Sequence, residues 1–230
     1  ILDTLSSRGV KTTMFLTGEF VRKFPQVTTR IVAEGHEVGN HLYRHPHLTT
    51  YERDRTHTTL PNITHQLLGE ELHKTNEVFR AVTGRDLWPL WRAPYGEVNG
   101  EIAAWGRQWG YLHIGWTPGR TWRENLDSND WTEDPSVAGY RSPGEVYDKI
   151  VRLAQAPPLG ISGGIVLMHL GTSRKERSEQ VHLLLGKIID ELRSMGYEFV
   201  TISQMLRESQ VGARPVAEEG SGGVQSGAVQ

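Results

Sequence analysis

The sequence contains no cysteine. Disulfides and thiolate metal sites are therefore excluded, although the absence leaves the compartment open. An excess of one charge is also missing. The formal net charge is -2 and the isoelectric point near 6.6, so nothing electrostatic calls for nucleic acid or an acidic membrane, and no nucleic-acid partner is expected. No apolar run approaches the ~18 residues of a membrane span, so no transmembrane segment is expected. No signal peptide is visible either. There is no initial methionine: the chain opens with Ile1-Leu2-Asp3-Thr4-Leu5, which reads as the middle of a helix. The biological N-terminus, with any targeting segment, is expected upstream. Internal repeats are absent.

What is present is a regular alternation of short apolar runs and amphipathic stretches. The 230 residues fit one large domain or two small ones and can bury a sizeable core. After a first helix ending near Gly9, residues 12–16 read as a buried strand. Residues 25–34 read as a helix, with Pro25 in its first turn and Gly35 as its C-cap. Residues 37–39 read as a short strand, 62–82 as a long amphipathic helix ended by Gly84, 87–92 as a strand, 97–109 as a helix and 111–116 as a strand. Ser142-Pro143-Gly144-Glu145 has capping-box spacing and opens a further helix. Residues 164–169 read as a strand. Val181, Leu184, Leu185, Ile188, Ile189 and Leu192 form a helical stripe closed by Gly196. A last strand over 197–201 and a helical turn or two over 203–208 complete the pattern. Alternation of this kind predicts an α/β fold of parallel strands wrapped by helices. The domain is expected to span residues 1–208. Residues 209–230, rich in Gly, Ser, Val, Gln and Ala, read as a disordered tail.

Four stretches carry chemistry. His41 and His45, in Gly39-Asn40-His41-Leu42-Tyr43-Arg44-His45-Pro46, lie four residues apart and can face one cation. A catalytic zinc site uses three protein ligands plus an open position. The alternative is a His-rich polar loop, but the pair follows a strand end, where barrel-like folds keep functional residues. Arg92 precedes Ala93-Pro94-Tyr95-Gly96 and could hold a carboxylate in its planar fork; an ordinary turn with an exposed Arg is the alternative. Asp127 and Asp130 flank a loop ending in Trp131. An Asp beside a catalytic His would set its tautomer, whereas Asx-turn chemistry would need no catalysis. His169 closes an apolar run, where a general acid is well placed; a hydrogen-bonded structural His is the alternative. Trp116, Trp122 and Trp131 could stack on sugar rings, though Trp more often fills cores.

With these motifs in this order, the sequence resembles the polysaccharide deacetylases, the NodB-homology or carbohydrate esterase family 4 group, from Ile1 to about Glu208. His41 with His45 resembles the family's H-x-x-x-H metal pair. Arg92-Ala93-Pro94-Tyr95 resembles R-x-P-Y, Asp127 to Trp131 resembles D-x-x-D-W, and Leu167-Met168-His169 resembles L-x-H. The resemblance implies a distorted (β/α) barrel and metal-assisted hydrolysis of an acetamide or acetate ester on a glycan. The expected substrate is an N-acetylglucosamine polymer such as peptidoglycan or chitin, or acetylated xylan, met in an extracellular, periplasmic or cell-wall location. It further implies that His41 and His45 bind a divalent metal, usually zinc. Tyr95 would give its backbone N–H to the oxyanion, and Arg92 would orient the catalytic base. His169 would protonate the leaving amine with Asp130 as partner. Leu167 would line the acetyl pocket, with Trp131 and Asp127 beside the substrate.

Two departures qualify the match. Leu42 stands where the family has Ser or Thr bracing the metal loop. The family's acidic pair, which supplies the base and the third metal ligand at the end of a first strand, has no counterpart here; Asp3 lies inside a helix. Base, ligand and barrel strand are therefore expected upstream of Ile1, and this chain is expected to be incomplete for activity. A non-catalytic glycan-binding relative, and a barrel amidohydrolase acting on small ureides or imides, are the competing readings.

Overall fold

The computed structural model describes residues 1–121, 124–137 and 139–212. Its sheet has four parallel strands in the order β1-β2-β3-β4. These are β1 (Thr13–Leu16), β2 (Glu37–Asn40), β3 (Leu90–Trp91) and β4 (Leu112–His113). Chain order equals spatial order, so each crossover moves one strand the same way round. That is the winding of a (β/α) barrel wall, since a doubly wound sheet would reverse its order partway. The crossovers carry α2 (Gly18–Lys23) and α3 (Pro25–Ala33), then α4 (Tyr51–Asp54) and α5 (His65–Thr83), then α6 (Gly100–Gln108). The N-terminal helix is α1 (Leu2–Ser7), and α7 (Pro143–Ala154), α8 (Leu185–Ser194) and α9 (Ile202–Gly212) follow the sheet.

Local chemistry explains most boundaries. The Thr64 side chain caps α5 at Leu67 N–H, and Gly84 ends it at φ 70°. Asn99 caps α6, which shortens the expected 97–109 helix. The capping box of Ser142 and Glu145 closes both ways at the start of α7. β1 and β2 make a full four-residue ladder. Gly39 is required there, because a Cβ would stand 2.6 Å from the Phe15 ring and 3.0 Å from the Leu90 carbonyl. One core cluster lies under β1 and β2, including Leu5, Met14, Ile31, Val38 and Phe79. A second lies between α5 and α6 around Leu68, Leu72, Trp91 and Ile102.

Several expected elements are corrected. The strand expected over 87–92 shrinks to Leu90–Trp91, because Pro89 has no N–H to give a ladder; its carbonyl accepts from Leu112 instead. The strand over 111–116 shrinks to Leu112–His113. Residues 164–169 form no ladder; among the described residues their backbone pairing is limited to the isolated Asp127–Leu167 bridge and a hydrogen bond from Thr117 N–H to the Ile165 carbonyl. Residues 197–201 are not a strand either. Both segments line, together with β1, a cavity of about 930 Å³, and no ladder joins either of them to β1 among the described residues. The stripe from Val181 to Leu192 breaks into a 3-10 turn, Val181–Leu184, before α8. Residues 209–212, read as tail, continue α9, and the rest of that tail lies outside the described residues. α2 and α4 were not expected. Thr17 caps α2 at Phe20 N–H, a signal present in the sequence.

Candidate functional site

The loop after β2 carries the histidine pair. Its backbone is strained at two non-glycine positions, Leu42 (φ 61°) and His45 (φ 59°). The strain is held by polar groups that sequence reasoning did not identify. Asn40, fully buried, accepts from Leu42 N–H and donates to the Leu72 carbonyl. Glu71, on α5, accepts from the N–H groups of Tyr43 and Arg44 at 2.9 Å each and from Arg44 Nε at 2.7 Å. These bonds brace the loop that Leu42 cannot brace; Leu42 itself is core. A signal for Glu71 did exist: it is a charge on the buried stripe Leu68, Leu72, Thr75 and Phe79 of α5.

The two rings converge. His41 Nε2 and His45 Nε2 are 3.2 Å apart, close to the ~3.4 Å that two 2.0–2.1 Å bonds to one tetrahedral zinc would set. His41 Nδ1 lies 2.8 Å from the Arg92 carbonyl. A carbonyl can only accept, so Nδ1 carries the proton and Nε2 keeps its lone pair. Burial, and then the neighbouring His45, push His41 down to about 3; burial also lowers His45. Both rings are thus neutral at pH 7, the form that ligates a cation. The donor set fits a borderline metal such as zinc. No group of three potential ligands occurs among the described residues, so the pair supplies two of the usual three.

His169 meets Asp130 twice. Its Nδ1 lies 2.7 Å from Asp130 Oδ1, and its N–H donates to Oδ2 at 2.9 Å. The buried carboxylate fixes ring and backbone together and leaves Nε2 free. Asp127 does not reach His169 by a hydrogen bond. Its Oδ1 accepts from Asn129 N–H at 2.8 Å, the Asx turn named as the alternative. Burial raises its pKa. Lys149, on α7, donates to Asn125 Oδ1 and to the Asp127 carbonyl. Arg174 donates to the carbonyls of Asn129, Thr132 and Glu179. Two buried cations therefore hold the loop that presents Asp130. Nothing in their sequence context set them apart from surface charges.

Arg92 is not the orphan that the motif alone suggests. Nε donates to the Ile114 carbonyl and Nη2 to the Gly115 carbonyl, and the guanidinium lies 4.4 Å from the Phe15 ring centre. Burial lowers its pKa to about 10, against the attraction of Asp127, so it stays a cation at neutral pH. Among the described residues it makes no ion pair with a carboxylate. Tyr95, next in the same motif, has φ 57° and an exposed ring. No acceptor takes its N–H among the described residues. Glu97, two residues on, is 1% exposed. It accepts from the N–H groups of Leu48 and Thr49 and lies 2.8 Å from His47 Nδ1. Burial would raise its pKa, but these donors together hold it below the usual carboxylate range.

His41, His45, Arg92, Leu167 and His169 line one cavity, which also runs along β1. Asp130 reaches it through His169. Trp131 is 55% exposed. Trp116 packs against Gly96, and Trp122 lies outside the described residues. The candidate groups His41, His45, Arg92 and His169 thus lie outside the strands, around one cavity.

A family model described as polysaccharide deacetylase matches residues 1–114. A peptidoglycan-N-acetylglucosamine deacetylase of Bacillus cereus is 30% identical over 216 residues, covering 91% of this chain and 63% of that protein. The chain thus spans a little under two thirds of that relative's length. The structure of a peptidoglycan N-acetylglucosamine deacetylase, in complex with 4-naphthalen-1-yl-N-oxidanyl-benzamide, is similar with TM-score 0.65 and 27% identity, over 89% of this chain and 78% of that one. A CE4 family pseudoenzyme from Bacillus anthracis shares the fold, with TM-score 0.63 and 22% identity, over 89% of this chain and 58% of that one.

Proposed function

Because the chain belongs to the polysaccharide deacetylase family, we propose that it removes acetyl groups from an N-acetylated glycan, with peptidoglycan the first candidate. One observation carries the reading. The convergent His41–His45 pair and the His169–Asp130 pair open on the same cavity, which also takes Arg92. His41 and His45 would hold a divalent cation, zinc by the nitrogen donor set. When bound, it would supply Lewis-acid polarisation of the acetyl carbonyl and a lowered pKa for water. The Tyr95 N–H is free to donate to an oxyanion. His169, with Nδ1 committed to Asp130, holds its other nitrogen for the leaving amine. On this reading Arg92 would orient a carboxylate base and Leu167 would flank the acetyl methyl, both lining the cavity that takes the histidine pair. A glycan of this kind would be met at the cell wall, outside the cytoplasm.

The base and a third ligand are the two parts that the described residues do not supply. This observation favours a second reading, a glycan-binding relative without catalysis. One experiment separates the two. Acetate release is measured from peptidoglycan, chitooligosaccharides and acetylated xylan, with and without zinc. Both the 230-residue chain and a longer form carrying the residues encoded before Ile1 are tested. Release that needs zinc and is lost in His169→Ala supports the deacetylase. Glycan binding without release by either form supports the binding protein.

A further inference from the structure

We propose that His47 is a positioning residue: held by Glu97, it stacks on Tyr95 and fixes the Tyr95 N–H against the His41–His45 pair. The inference rests on the deacetylase reading only for the reaction that this N–H serves. Tyr95 sits in the left-handed region, which a bulky residue occupies only when its surroundings hold it there. The surroundings are two imidazoles. The His47 ring lies parallel to the Tyr95 ring, 4.0 Å between centres and 2° between planes. The His45 ring meets it edge-on at 4.5 Å and 70°.

His47 is itself anchored. Its Nδ1 is 2.8 Å from Glu97 Oε1, and its Nε2 is 3.5 Å from Glu52 on α4. The other oxygen of Glu97 takes Leu48 N–H at 2.7 Å and Thr49 N–H at 2.9 Å. Glu97 belongs to the Tyr95 turn, while His47, Leu48 and Thr49 belong to the histidine loop. One buried carboxylate therefore joins the loop of the metal pair to the loop of the oxyanion donor. Without the His47 ring, Tyr95 loses its parallel contact, and the peptide carrying its N–H can relax out of the left-handed region.

The test uses His47→Ala, His47→Phe and His47→Asn in the full chain, with thermal melts to confirm folding. Phe keeps the stack and loses the bond to Glu97; Asn keeps a donor and loses the stack. For acetate release, His47→Ala and His47→Asn should lower kcat about ten- to a hundredfold, less than the 10²–10³ that outright loss of an oxyanion donor costs. KM and zinc affinity should hold within about twofold. His47→Phe should recover most of kcat. A raised KM at unchanged kcat would make the ring pair a sugar platform and overturn the proposal. A second measurement needs no activity. Amide hydrogen exchange at Gly96 and Glu97, whose N–H groups donate to the Ala93 and Pro94 carbonyls and close the Tyr95 turn, should quicken about tenfold or more in His47→Ala and return in His47→Phe. If neither this chain nor a longer form releases acetate, the deacetylase reading fails and the exchange rates decide alone. Unchanged exchange at Gly96 and Glu97 in His47→Ala then overturns the positioning role.

Discussion

At the scale of single residues, the site depends on side chains whose second polar atom is already committed. His41 gives Nδ1 to a carbonyl and His169 gives Nδ1 to a carboxylate, so each ring presents one defined nitrogen. Removing the acid should leave binding intact and slow the chemistry. In an active form, His169→Ala is expected to lower kcat by ~10²–10⁴ with KM little changed, measured by acetate release across a substrate range. Asp130→Asn should produce a smaller fall, since an amide can still accept at one atom but can no longer fix both Nδ1 and the His169 N–H. Loss of binding alone in His169→Ala would remove it from the acid role.

At the scale of elements, the histidine loop is shaped by its neighbours rather than by its own sequence. Glu71 of α5 takes three of its donors. Glu71→Ala would leave the part-buried N–H groups of Tyr43 and Arg44 without their acceptor, at about 1 kcal/mol each, the low end of the usual penalty, so urea unfolding should show a loss of about 2 kcal/mol. Zinc affinity should drop in the same variant, because Leu42 and His45 are held against their preferred backbone conformation. Gly39→Ala tests the sheet. With the Phe15 ring 2.6 Å from the added Cβ, a stability loss of about 1–3 kcal/mol is expected from overpacking between β1 and β2. An unchanged urea midpoint would mean that the ring moves aside freely.

At the scale of the whole molecule, two linkages should be measurable. His113, on β4, is pushed down to about 4 by burial and then by Arg92. The folded state therefore keeps it neutral where the unfolded chain binds a proton. Stability from this group is complete above about pH 6.5 and is lost as pH falls toward 4. The loss approaches ~3 kcal/mol, at 1.36 kcal/mol per pKa unit. Urea midpoints at pH 7 and pH 4.5, with chelator present, should show it, and His113→Phe should remove this group's share of the difference while the share of His41, lowered further by burial, remains. Zinc acts in the other direction. At a hundredfold excess over Kd it should add about 2.7 kcal/mol, seen as a raised Tm in the wild type and not in His45→Ala.

The alternating pattern, the capping box at Ser142 and the helix end at Gly84 were legible in the sequence because each is set by neighbours a few residues away. The candidate site residues His41, His45, Arg92, Tyr95, Asp130 and His169 could be named from the sequence, because their spacing within short motifs carries the resemblance. What lay beyond the sequence depends on partners far along the chain. Apolar runs at 164–169 and 197–201 have strand composition, but a strand exists only where a neighbour offers a ladder, and among the described residues none joins these runs to β1. Arg92 looked unpaired because carbonyls at residues 114 and 115 carry no sequence signal. Glu97 and His47 looked like ordinary polar residues, and Glu71 differed only as a charge on the apolar stripe of α5. Burial against a strained loop, which only the tertiary structure brings about, turns them into the braces of the site.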